Sequence, residues 1–172
     1  IPLPAKIVSL LAFFPGTDSL VASLSGITKN RIVPAALEFL DPACVDLIRN
    51  RIPIKIPSDS ASLLIIDLDG EPGELERQFE IVGETCLEHG AVDVLIADGS
   101  ERRKGLWDVR RKLRDLIKEG NKFKRAEDVT VPIGKIPELI MGCENIAEKF
   151  GLKNFNFGHL GDGNVHVNLV HP

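Results

Sequence analysis

The sequence predicts an α+β fold, and three observations lead there. Apolar runs of strand length, at residues 6–14, 62–70 and 92–98, are separated by segments that obey helix-end rules. The order strand, helix, strand occurs twice in the first hundred residues. No G-x-G-x-x-G follows any strand, which argues against a doubly wound parallel sheet with its own dinucleotide site. A ferredoxin-like sandwich, a mostly antiparallel sheet with helices on one face, suits that order.

The elements follow in turn. Residues 6–14 make the first strand, closed by Pro15-Gly16, after which Thr17 or Asp18 caps a helix to about Ile27. RIVPAALEFL (31–40) is a second extended segment, with Pro34 marking an edge or a kink. Asp41-Pro42 breaks it, a short helix covers about 42–50, and the prolines of RIPIKIPSDS (51–60) make a connecting loop. SLLIIDLDG (62–70) is an apolar strand ending in turn residues. Residues 72–89 open with Pro72 and acidic side chains and close at His89-Gly90, so both ends match helix rules. VDVLIAD (92–98) is a strand, Ser100 to about Gly120 a long charged helix, and AEDVTVP (126–132) another strand. A helix over about 135–150 ends at Gly151, and the last piece is a strand pair around two histidines.

A length of 172 residues fits one domain, and 44% hydrophobic with 27% charged residues is ordinary for a soluble globular chain. A net charge of -4 carries no polyanion-binding signature, so nucleic acid is not an expected partner. Cys44, Cys86 and Cys143 are odd in number and far apart, with no C-x-x-C pair. They read as core fillers in a reducing compartment, which points to a cytoplasmic location with any membrane association peripheral and through partners. The longest apolar stretch, IVSLLAFFPG, is broken by Ser9 and stopped by Pro15-Gly16, short of the roughly 20 residues that span a bilayer. The start at Ile1-Pro2, without Met, suggests a piece of a longer polypeptide.

GHLGDGNVHVN (158–168) carries two of the four histidines, seven residues apart, around a Gly-Asp-Gly turn. Alternation puts Phe155, Phe157 and His159 on one face of the first arm and His166, Asn168 and Val170 on a face of the second. A two-residue type I′ turn at Asp162-Gly163 would pair 161 with 164, 160 with 165 and His159 with His166, leaving Phe157 opposite Asn168. The histidine β-carbons would then stand about 4.5–5.5 Å apart, close enough for both rings to reach one metal ion. Gly158, Gly161 and Gly163 would permit positive φ or close backbone approach. A catalytic zinc usually takes three protein ligands, and Glu38 or Asp162 are carboxylates that could supply a third, unless it lies beyond residue 172.

The motif resembles the G-H-x-G-D-G-N-x-H-x-N signature of the C-terminal cap domain of FAD-linked oxidases. That family includes D-lactate dehydrogenases, D-2-hydroxyglutarate dehydrogenases and the flavin subunit of glycolate oxidase. AALEFLD (35–41), LLIIDLDGE (63–71), LWDVRRKL (106–113) and AEDVTVP (126–132) are similar, in order, to segments of the same domain, so the resemblance covers nearly the whole chain, 1–172. It implies a substrate-binding cap that closes over a flavin, the FAD being held mainly by an N-terminal domain of the same polypeptide. It also implies that His159 and His166 bind a divalent metal, usually zinc, and that Asn168 touches the substrate. The third ligand and the base of the relatives lie in a later segment, so no catalytic residue is assigned within this chain. On a helix, Arg103, Trp107, Arg110 and Arg114 fall in a narrow arc bordering an apolar stripe of Leu106, Val109, Leu113 and Ile117. By resemblance Arg110 takes the substrate carboxylate, a role that a planar guanidinium suits.

The function so implied is hydride transfer from C2 of a small 2-hydroxy acid, such as D-lactate or glycolate, to the flavin. The metal would hold the hydroxyl and carboxylate and lower the hydroxyl pKa. Hydroxyglutarate-type members carry a threonine where this chain has Arg114 and a lysine where it has Ala126, with Lys124 and Arg125 out of register, so hydroxyglutarate is not assigned. Two rival readings remain at this stage. One is a free-standing ferredoxin-like module that binds a metal or small anion without redox activity. The other is a metal-independent flavoenzyme of the same family acting on an alkyl phosphate ester.

Overall fold

The computed structural model describes residues 6–52, 54–97, 100–119, 121 and 123–171. The Ile1-Pro2 start, Pro53 of the proline loop, the strand end at Asp98, the helix end at Gly120 and the terminal Pro172 lie outside them. The strands are β1 (Lys6–Phe14), β2 (Ala36–Leu40), β3 (Ser62–Gly70), β4 (Asp93–Ala97), β5 (Phe123–Thr130), β6 (Lys153–His159) and β7 (Asn164–His171). The α-helices are α1 (Thr17–Lys29), α2 (Pro42–Ile48), α3 (Pro72–Glu88), α4 (Ser100–Lys118) and α5 (Ile136–Lys149), the last preceded by a 3-10 turn over Ile133–Lys135.

One antiparallel sheet runs in the order β4-β1-β3-β2-β6-β7-β5. Its first four strands, with α1 and α3, form the split βαβ arrangement of a ferredoxin-like unit, and the α+β expectation is borne out. The remaining strands extend the edge at β2. The helices are not confined to one face, however. Beneath α1, α3 and α5 lies a core that includes Leu10, Phe14, Phe39, Leu64 and Ile66. The opposite face packs Leu11, Phe13, Leu63 and Ile65 against Val45 and Ile48 of α2 and Leu106, Leu113 and Ile117 of α4. The connectivity explains this second layer. β4 and β5 are opposite edges of the sheet, so the chain between them must cross six strand spacings, about 29 Å. The 19 residues of α4 rise about 28 Å and make that crossing.

Burial on both faces also accounts for the near-continuous apolar runs of β1 and β3. On the α4 side those runs and β2 are interrupted by the buried polar residues Ser9, Asp67 and Glu38. Local ends differ in detail from the sequence reading. Gly16 is the N-cap of α1 and makes no side-chain cap bond, in place of Thr17 or Asp18. Asp41, read as a breaker, caps α2 by accepting from the Cys44 N–H at 2.8 Å. No helix among the described residues is long and apolar enough to cross a membrane.

Candidate functional site

The β6–β7 hairpin forms, but its register differs by two residues from the type I′ expectation. His159 pairs with Asn164, Phe157 with His166 and Phe155 with Asn168, leaving a four-residue loop, 160–163. Leu160 decides this. Its side chain is fully buried in the α1/α3/α5 core, and its N–H bonds to Leu37 O on β2 at 2.9 Å, so it cannot pair with Val165. Asp162 Oδ1 accepts from the Asn164 N–H at 3.0 Å, closing the loop. Only Gly163 of the three glycines has positive φ, +74°, and a Cβ there would lie 2.1 Å from Val131 O. Gly158 is required for another reason: a Cβ would lie 2.2 Å from Asn164 O.

A slip of two residues preserves the face, so the histidines stand diagonally rather than directly opposite. Their ring centroids are 5.4 Å apart, edge to face. Each ring is held through Nδ1 by a carboxylate: His159 by Glu38 Oε1 and His166 by Asp128 Oδ1. The hydrogen bond from His166 is the main reason that the Asp128 carboxyl sits below its usual pKa. Because an ionised carboxylate only accepts, each Nδ1 donates to its carboxylate, and in the neutral imidazole this arrangement leaves the Nε2 lone pair as the ligating one. This carboxylate–histidine arrangement is the one that orients metal-binding imidazoles. The donors thus fit a divalent ion as a two-histidine half-site. Neither proposed third ligand joins it: Glu38 is engaged by His159 and Arg110, and Asp162 by its turn. Among the described residues, no group of three or more His, Cys, Asp or Glu is arranged to hold a metal.

Arg110 reaches the same face from α4. Its Nε donates to Glu38 Oε2 at 2.8 Å, Nη2 donates to the same oxygen, and the guanidinium lies 4.5 Å over the Phe157 ring. Arg103, two turns earlier on α4, makes the parallel contact with Asp67 at 2.7 Å and takes Ser9 Oγ as well, so it is not simply a solvated base. Asn168 is fully buried, with Nδ2 donating to Phe155 O and His166 O while Oδ1 has no partner. Asn164 Oδ1, two residues before His166 on the same strand face, is likewise buried and unpartnered. A cavity of about 410 Å³ opens beside this group, lined by Ala36, Glu38, His159, Gly161 and Asp162 among others.

Sequence reading missed Asp128, Arg114 and Asn164 as members of the site. Arg114 lies 3.6 Å from Asp128 Oδ1, and both join the site only through the pairing of Asp128 with His166 across β5 and β7. Glu38, by contrast, was visible in the sequence as a single acid inside an otherwise apolar strand, though its partners were not.

Residues 3–172 match the family model of the FAD linked oxidases, C-terminal domain, and the chain belongs to that family. It is 31% identical over 166 residues to the glycolate oxidase subunit GlcD of Bacillus subtilis (strain 168), covering 96% of this chain and 35% of that protein. It is 30% identical over 174 residues to the D-lactate dehydrogenase of Anaerostipes hadrus, covering 97% of this chain and 37% of the relative. The chain therefore spans about a third of the length of these curated relatives. Among solved structures, an alkyldihydroxyacetonephosphate synthase superposes with a TM-score of 0.75 at 14% identity, over 99% of this chain and 37% of that one, a likeness of fold.

Proposed function

We propose that this chain is the substrate-binding cap of an FAD-dependent 2-hydroxy-acid dehydrogenase or oxidase that acts on D-lactate, glycolate or a similar small acid. The observation that carries the reading is the grouping of His159, His166, Arg110 and Asn168 on one sheet face, with the two rings 5.4 Å apart, in a chain of this family. His159 and His166 would hold a divalent ion, zinc by its preference for imidazole, through Nε2. Arg110 would receive the substrate carboxylate, and the unpartnered Asn168 Oδ1 would accept a hydrogen bond from the substrate. When bound, the ion would lower the pKa of the substrate hydroxyl; a base not assigned within this chain would take the hydroxyl proton and FAD would accept the hydride from C2. Ala126, directly opposite Asn168, offers no second cation at that point, which favours a monocarboxylate. FAD would be held mainly by another domain of the same polypeptide, in a reducing, cytoplasmic setting.

A dye-reduction screen of the full-length polypeptide against both enantiomers of lactate, glycolate, 2-hydroxyglutarate and longer 2-hydroxy acids tests this. Turnover of one small acid is expected, abolished by chelator and by His159→Ala or His166→Ala. Arg110→Lys, which loses the bidentate fork, should lower kcat/KM about a hundredfold, the equivalent of roughly 3 kcal/mol. Turnover indifferent to chelator would remove the metal role and favour the metal-independent reading. No turnover with any hydroxy acid would sink the proposal.

A further inference from the structure

Glu38 is 4% exposed, yet both of its carboxylate oxygens are used. Oε1 accepts from His159 Nδ1, and Oε2 accepts from Nε and Nη2 of Arg110. One carboxylate therefore joins three elements that are remote in sequence: β2, α4 and β6. The partner of His166 is of a different kind, because the Asp128 side chain is 61% exposed and its hold is weakened by water. α4 also contains an internal comparison. Arg103 and Asp67 make a second buried-acid contact with the sheet, seven residues along the helix, with no histidine attached.

We propose that Glu38 is a positioning residue: it sets the His159 ring and the Arg110 guanidinium in one frame and keeps His159 in the Nδ1–H tautomer, so that Nε2 is the ligating nitrogen. The inference rests on the reading of His159 as a metal ligand and Arg110 as the carboxylate clamp. Its logic is a donor count. Arg110 has only donors, so in Glu38→Gln the amide oxygen must face the guanidinium and the amide NH₂ must face His159. His159 Nδ1 then has to accept, and its proton moves to Nε2. A near-isosteric change thus inverts the tautomer and blocks the ligating atom.

Long-range ¹H–¹⁵N spectra of the imidazoles in the ¹⁵N-labelled, metal-free protein read this directly, and a Zn²⁺ competition titration reads its consequence. In the wild type, His159 is expected as Nδ1–H. Glu38→Gln should convert it to Nε2–H, leave His166 unchanged and weaken Zn²⁺ binding about 10–100-fold. Asp67→Asn, which disturbs the matching contact of Arg103, should change neither tautomer nor affinity. If Glu38→Gln fails to fold, the double variant Glu38→Leu/Arg110→Met replaces the buried pair with apolar side chains, and His159 should again lose its Nδ1–H preference. An unchanged His159 tautomer in the folded variant, or an equal loss of Zn²⁺ affinity in Asp67→Asn, would overturn the proposal. If the wild type binds no Zn²⁺, the metal reading fails by itself, and the tautomer result alone decides the role of Glu38.

Discussion

Asp41 illustrates how burial can outweigh good hydrogen bonding. Its carboxylate accepts from Cys44 N, Asn156 N and Asn156 Nδ2, yet desolvation pushes its pKa up from 3.8 to about 6. The folded state therefore binds this proton more readily than the unfolded state. The contribution of Asp41 to stability falls as pH rises from about 4 to about 6 and stays low above that window. Urea unfolding across it should show the decline in the wild type and its loss in Asp41→Asn; parallel curves would refute the assignment. The cysteines behave as their reading as core fillers implies. Burial pushes the Cys86 thiol up to about 12 and Cys44 well above its ordinary value. A thiol reagent at pH 8 should leave both unmodified in the native protein and reach Cys143 first, since that side chain is only partly buried.

Elements are held in place by a few unforgiving contacts. The hairpin loop passes so close to Val131 that Gly163→Ala must move backbone, and its positive φ adds strain of roughly 1–3 kcal/mol. The expected result is a lower denaturant midpoint; an unchanged midpoint would mean that the loop is not fixed to the end of β5. The docking of α4 relies on apolar packing plus two arginines that meet sheet carboxylates, Arg103 with Asp67 and Arg110 with Glu38. Arg103→Met leaves Asp67 buried without its cation and should cost about 1–3 kcal/mol, a cost tempered by the partial exposure of Arg103. Adding Asp67→Leu should recover most of it. The amphipathic stripe of Leu106, Leu113 and Ile117 was legible in the sequence, as was the presence of arginines along its border. Which acid each arginine meets was not, because the acids lie 36 and 72 residues away.

Across the whole molecule, α4 shares a core with strands from both halves of one continuous sheet, so the chain should unfold as a unit. Trp107 is the single tryptophan and sits on α4, which makes its fluorescence a local probe of that docking. Its transition should coincide with far-UV circular dichroism in urea. An earlier fluorescence midpoint would show that α4 detaches before the sheet melts.

The sequence by itself determined the α+β class, the succession of elements, the hairpin and the shared face of His159 and His166. These depend on periodicity and turn chemistry over a few neighbouring residues. Only the tertiary structure decided the hairpin register, because burial of Leu160 against the opposite core outweighs the preference of Asp-Gly for a two-residue loop. It alone placed α4 across the second face, since that follows from β4 and β5 being opposite edges. The partner of His159 came from pairing between β2 and β6, a contact 121 residues apart that no local pattern encodes.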